Sequence, residues 1–226
     1  MNNTRKVILL IGSPRGVYST SSVLGNYILK KLEEQNFKTE VLHIHSQLKS
    51  QSKREQLLDK IENVDLILLA FPLYVDTLPA PVIRTFELIA ENISEKQQER
   101  TQKLIAIVNC GFPEASHNRY ALATCEQFAL ETGMQWIGGL SLGMGGAISG
   151  KSLDKLGGMV TNVKKSLDLV SESIIKDEKI SEKAIEYMAK PLLPSKWLYT
   201  FMGSISWRIQ ALKNKAYSKL NDTPFI

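Results

Sequence analysis

The chain has 226 residues, 43% of them hydrophobic and 23% charged, with a formal net charge of +5. That length suits one well-buried domain plus an extension, and the balance excludes disordered and collagen-like sequence. No apolar run reaches the ~18 uncharged residues of a bilayer span, the N-terminus shows no signal-cleavage pattern, and two isolated cysteines make neither a disulfide framework nor a metal cluster, so a cytoplasmic protein without a metal is expected.

KVILLIG (6–12) is an unbroken apolar run ending on glycine, as a strand covered on both faces would be. It leads into GSPRGVYSTSS, where the hydroxyls of Ser13, Ser19, Thr20, Ser21 and Ser22 bracket Arg15 just before the helix SVLGNYILKKLEE (22–34), striped by Val23, Tyr27, Ile28 and Leu32. A helix N-terminus with hydroxyl and guanidinium donors suits an anion; a serine N-cap accounts for one hydroxyl, not five. The loop matches neither G-x-G-x-x-G nor a lysine-bearing phosphate loop. A phosphate held by hydroxyls and not by lysine suits a monophosphate bound without magnesium, which fits FMN.

KTEVLHIH (38–45) alternates and reads as a strand nearer the sheet edge. VDLILLAFP (64–72) is a second buried run, and the loop AFPLYVDTLPAP (70–81) offers Pro72, Leu73, Tyr74 and Val75 as a stiff apolar wall for a planar ring; a loop simply packed over the core is the alternative. A helix follows over 81–90, with Val82, Phe86 and Ile89 on one stripe. LIAIVNCG (104–111) is the next buried strand, and NCGFPEASHNRY (109–120) brings Gly111 for close backbone approach between polar Asn109 and His117. His117 and Cys110 read more simply as a helix-cap imidazole and a buried thiol than as catalysts.

MQWIGGLSLGM (134–144) is the fifth strand candidate, followed by GGAISGKS (145–152), which fits the P-loop pattern G-x-x-x-x-G-K-[ST] letter for letter. A P-loop normally opens its sheet, and the strands for magnesium binding should follow it; only helical sequence (153–170) and a tail come after. Gly143, Gly145 and Gly146 read better as clearance for a loop close to the ligand edge, with Lys151 a candidate for a nicotinamide-nucleotide phosphate. Five alternations of β and α argue for an open doubly wound sheet with right-handed crossovers. Its ligand lies outside the carboxyl ends of the strands.

GSPRGVYSTSSVLGNYI, FPLYVDTLPAPVIRTFE and VNCGFPEASHNRYAL, in that order, resemble the three flavin loops of the NAD(P)H-dependent FMN reductases of flavodoxin-like fold, over about residues 5–150. The resemblance implies a five-stranded parallel sheet in the order 2-1-3-4-5. It implies that Ser13, Arg15, Ser19, Thr20 and Ser21 surround the FMN phosphate, that Pro72, Leu73, Tyr74 and Val75 flank the ring, and that Asn109, Cys110, Gly111 and Phe112 reach its other edge. It lacks the cysteine cluster of iron-sulfur relatives. The activity implied is hydride transfer from NADPH or NADH to flavin and on to a quinone-like or other small acceptor, without a protein acid-base catalyst. A flavodoxin-type electron carrier is the alternative, which the net charge of +5 disfavours; a P-loop nucleotide-binding protein is third.

The flavin-binding domain is expected over 1–175 and a helical extension over 176–226. There Pro191 and Pro194 interrupt, and KWLYTFMGSISWRIQALKNK (196–215) stripes Leu198, Phe201, Met202, Ile205, Ile209 and Leu212. That stripe is expected to pack on its own domain or on a second subunit, ahead of a membrane-surface contact. The resemblance favours a homodimer, and no nucleic-acid partner is expected.

Overall fold

The computed structural model describes residues 4–96 and 102–223. Five parallel strands, β1 (Lys6–Ile11), β2 (Lys38–His43), β3 (Leu66–Pro72), β4 (Lys103–Asn109) and β5 (Gln135–Leu142), form one sheet in the order β2-β1-β3-β4-β5. Strands β1, β3 and β4 are buried nearly end to end because helices cover both faces. On the edge strand β2 only Leu42 is buried, so its sequence alternates.

The helices are α1 (Thr20–Glu33), α2 (Ile44–Gln47), α3 (Gln51–Glu62), α4 (Ala80–Lys96), α5 (Arg119–Glu131), α6 (Thr161–Lys176), α7 (Glu182–Ala189) and α8 (Lys196–Lys213). One core layer joins Ile8, Leu10, Leu69 and Phe71 to Leu57 and Ile61 of α3, Val82 and Ile89 of α4, and Cys125 of α5. Leu9 points the other way, against α1 at Gly25, as the period of two requires. Each such buried aliphatic side chain contributes about 1.5–3 kcal/mol. The stretch 153–170 is helical only in part: a 3-10 segment, Leu153–Val160, is kinked at Gly157, and the α-helix starts at Thr161.

One compact unit runs from Met1 to Leu192 and a second from Leu193 to Ile226. Residues 177–189, part of the extension expected from the sequence, join the first unit. Ile180 N donates to Ile137 O at 3.0 Å and Ser166 Oγ to Ala184 O at 2.6 Å, so this segment shields the β5 edge. The second unit holds α8 and a 3-10 turn, Tyr217–Lys219.

Candidate functional site

Loop one (12–19) enters α1 through Ser19, whose Oγ accepts from Ser22 N at 3.1 Å and donates to Gly16 O at 2.6 Å. Thr20 Oγ1 likewise donates to a carbonyl, Gly145 O at 2.8 Å. Ser13 and Ser21 are placed differently: Ser13 Oγ accepts from Arg15 N at 3.4 Å and Ser21 Oγ from Asn109 Nδ2 at 2.8 Å. Accepting leaves each with its own O–H to donate. These four are buried, as is the fifth, Ser22, whose Oγ accepts from Asn26 Nδ2 at 3.1 Å, and Arg15 is exposed. Of the first four, two therefore hold the loop and two have donors to spare, beside the amides of Thr20 and Ser21 that open α1 and a guanidinium. These groups fit a phosphate ester.

Loops three (73–79) and four (110–118) start side by side, because Pro72 pairs with Asn109 in the sheet and Leu73 N donates to Asn109 O at 2.8 Å. Asn109 Nδ2 reaches both Ser21 Oγ and Phe71 O, the latter at 3.1 Å, so one buried amide fastens the first turn of α1 to the carboxyl ends of β3 and β4, from which loops three and four start. Tyr74 and Thr77 exchange backbone bonds of 3.0 Å around Val75 (φ 49°) and Asp76 (φ 57°). This is a two-residue turn of the kind that prefers Asn-Gly, built here with a β-branched residue in the left-handed region. Such strain collects at functional loops.

Val75 is 96% exposed, Tyr74 44% and Phe112 50%; they give the carboxyl edge of the sheet an uncovered apolar surface. Phe112 stacks on His117 with centroids 4.3 Å apart, and His117 Nδ1 lies 4.0 Å from Asp76 Oδ1, linking loops three and four. A Cβ at Gly111 would meet nothing within 4 Å, so there is open space beside loop four there. The apolar edge and open space fit a planar ring. Cys110 Sγ turns inward to the carbonyls of Phe112 (3.8 Å) and Glu114 (3.6 Å), and burial pushes its thiol pKa up, against thiolate chemistry.

Two contributors escaped sequence reasoning. His43, where β2 ends, has a buried Nδ1 with no hydrogen-bond partner among the described residues, facing loop one at Gly16; its signal was its position at a strand's carboxyl end. The other is the grip of loop five (143–152) on loop one. Gly143 abuts loop four, where a Cβ would meet Pro113 O at 2.5 Å. Gly150, at φ 75°, lies so close to Tyr18 that a Cβ would sit 2.6 Å from its carbonyl carbon, and Arg15 Nη2 donates to Ser149 Oγ at 3.3 Å.

That same loop does not make a P-loop. The amides of Gly145, Ala147, Ile148, Ser149 and Lys151 donate to the carbonyls of Cys110, Met144, Gly145, Gly145 and Ile148. No α-helix opens at Lys151-Ser152. A phosphate cradle needs those amides convergent and free at a helix N-terminus. A cavity of about 280 Å³ does exist elsewhere, lined by Arg5, Phe37, Asp65, Lys103 and Asp177, but it lies at the amino ends of the strands. Two of its cations are already engaged: Arg5 with the carbonyls of Ile174 and Ile175, Lys103 with Asp177 at 2.5 Å.

Solved structures share the fold. An azoreductase from Bacillus anthracis str. Sterne is 12% identical with a TM-score of 0.55, covering 75% of this chain and 100% of its own. An NADH:FMN oxidoreductase (EmoB, apo form) is 15% identical with a TM-score of 0.54, over 86% of this chain and 99% of its own. A Streptococcus pneumonia TIGR4 flavodoxin is 11% identical with a TM-score of 0.54, over 76% and 99%. No curated protein matches the sequence. A family model described as NADPH-dependent FMN reductase matches residues 5–148, more than half of the chain with loops one, three and four inside it, and the chain therefore belongs to that family of flavin-dependent oxidoreductases, which use FMN with NAD(P)H as electron donor.

Proposed function

We propose that loops one, three and four hold FMN so that NADPH or NADH reduces it and a small quinone-like acceptor re-oxidises it in the same cleft. Bound FMN supplies the redox chemistry, taking hydride at N5 and passing electrons on. The chain's part is to bind, orient and shield. In this reading the O–H groups of Ser13 and Ser21, the first-turn amides of Thr20 and Ser21, and Arg15 bind the phosphate, with Ser19 and Thr20 holding that loop in shape and His43 facing it. Pro72, Leu73, Tyr74 and Val75 line one side of the ring, and Asn109, Cys110, Gly111 and Phe112 the other edge through backbone and the Phe112 side chain. The single observation that carries the proposal is the Asn109 amide bonded at once to Ser21 Oγ and Phe71 O, which joins an anion site to an apolar wall. Two free, buried cysteines support action in the reducing cytoplasm. A homodimer, in which a second copy covers the apolar edge around Val75 and Phe112, completes the reading, and light scattering at rising concentration tests it.

The test of function is anaerobic: purified protein titrated with FMN, then mixed with NADPH or NADH. Stoichiometric yellow complex that bleaches on mixing and regains colour with a quinone supports the proposal. Bound flavin that stays oxidised with either nucleotide would show an electron carrier instead, and absence of FMN binding would end the reading.

A further inference from the structure

We propose that α8 docks the protein on an anionic lipid surface. The inference stands apart from the flavin chemistry. Leu198, Phe201, Met202, Ile205, Ile209 and Leu212 share one stripe at three- and four-residue spacings, and the last five are 41–59% exposed. The opposite side carries Thr200, Gly203, Ser204 and the exposed Trp207, with both hydroxyls bonded back to the helix's own carbonyls. Ser195 caps the first turn, accepting from Leu198 N at 3.4 Å. The helix is therefore amphipathic and self-sufficient in its backbone bonds, while no helix among the described residues is long and apolar enough to cross a membrane. An amphipathic helix of this kind lies in the interface plane with its apolar stripe turned into the acyl boundary.

Charge selects the occupant. Lys190, Lys196, Arg208, Lys213, Lys215 and Lys219 stand between Glu186 and Asp222 with no carboxylate among them. Arg208 and Lys213 fall on the two borders of the stripe, where long side chains lay their stems on apolar surface and raise their charges to headgroups. A second copy meeting this stripe through its own would set cation against cation, whereas phosphate-bearing lipids complement it. Trp197, at the edge of the stripe and stacked on Phe201 with centroids 5.1 Å apart, is of a residue type that prefers the membrane-water boundary.

Full-length protein is mixed with large unilamellar vesicles of phosphatidylcholine alone or with about 30% phosphatidylglycerol, a share in the range of anionic leaflets, and pelleted. Trp197 stacks on Phe201 of the stripe, so a blue shift of intrinsic emission reports insertion. Binding should rise with the anionic share. The double change Arg208→Gln and Lys213→Gln should weaken it about 25-fold, at about fivefold per cation near the surface, and Ile205→Glu should abolish it. FMN affinity unchanged in both variants shows that the first unit is intact. Wild type left in the supernatant with anionic vesicles at low salt would overturn the proposal, as would equal binding to neutral vesicles. So would a dimer by light scattering that Ile205→Glu turns into a monomer, because the stripe would then be covered by a second copy.

Discussion

Replacing Gly150 by alanine tests whether loop five braces the phosphate loop. Gly150 sits at φ 75°, where an L side chain costs about 1–2 kcal/mol. The added Cβ would also stand 2.6 Å from the carbonyl carbon of Tyr18 and 3.0 Å from its Cα, both backbone atoms, so relief requires the two loops to part by about 1 Å to reach ordinary carbon contact. The Arg15–Ser149 bond at 3.3 Å and the Thr20–Gly145 bond at 2.8 Å span the same seam. Loss of one charge-assisted contact to the phosphate removes about 1.5–3 kcal/mol, or roughly 10- to 100-fold in FMN affinity. Riboflavin has the same ring without the phosphate, so its affinity should change less than about twofold. Flavin-fluorescence titration of both ligands against wild type and Gly150→Ala gives the comparison. Equal weakening of riboflavin and FMN, or no weakening of FMN, would refute the brace.

Converting Val75-Asp76 to Asn-Gly gives the two-residue turn its preferred residues, and should raise stability by about 1 kcal/mol in urea denaturation while weakening both flavins alike, since the apolar side chain is lost from the ring side. Cys125 is buried on α5 with its thiol pushed up to about 12 from 9.0. A folded-state pKa above the unfolded one means that its stabilisation is whole below pH 9.0 and erodes between there and about 12, at about 1.4 kcal/mol per pH unit for one proton. Cys125→Ala should flatten that alkaline slope in paired denaturation curves, and an unaltered slope would assign the loss to other groups. Calorimetry with ATP and magnesium should give no binding heat, and Lys151→Ala should leave FMN affinity as it is, because five of the eight amides of GGAISGKS, that of Lys151 included, are already bonded to carbonyls.

The sheet was legible because its central strands are uniform. KVILLI, LILLAFP and KLIAIVN are buried at all but one end residue each, and no soluble helix needs so unbroken an apolar run at that length. Helix α3 left little trace, since only Leu57 and Ile61 of its twelve residues are buried and its other positions are polar. Residues 177–189 join the first unit although the extension is expected from 176, because a short helix covering a sheet edge needs few apolar anchors: Ala184 and Met188 suffice, together with Ile180 before them.

At the site, what could be read were residue types at strand ends, and what could not were pairings across the chain. A serine cluster before a helix names donors; which of them stay available depends on Asn109, 88 positions from Ser21, and on the Gly145 carbonyl, 125 positions from Thr20. Loop five shows the same limit more sharply. Its letters match a phosphate cradle, yet a cradle is a direction shared by several amides, and that direction is set by the backbone that follows. The α-helix begins at Thr161 instead of Lys151, so the glycines that would have opened the loop to a ligand let it close against Pro113 and Tyr18. In the proposed reading phosphate recognition falls to loop one, and loop five acts on it only through the position in which it holds that loop.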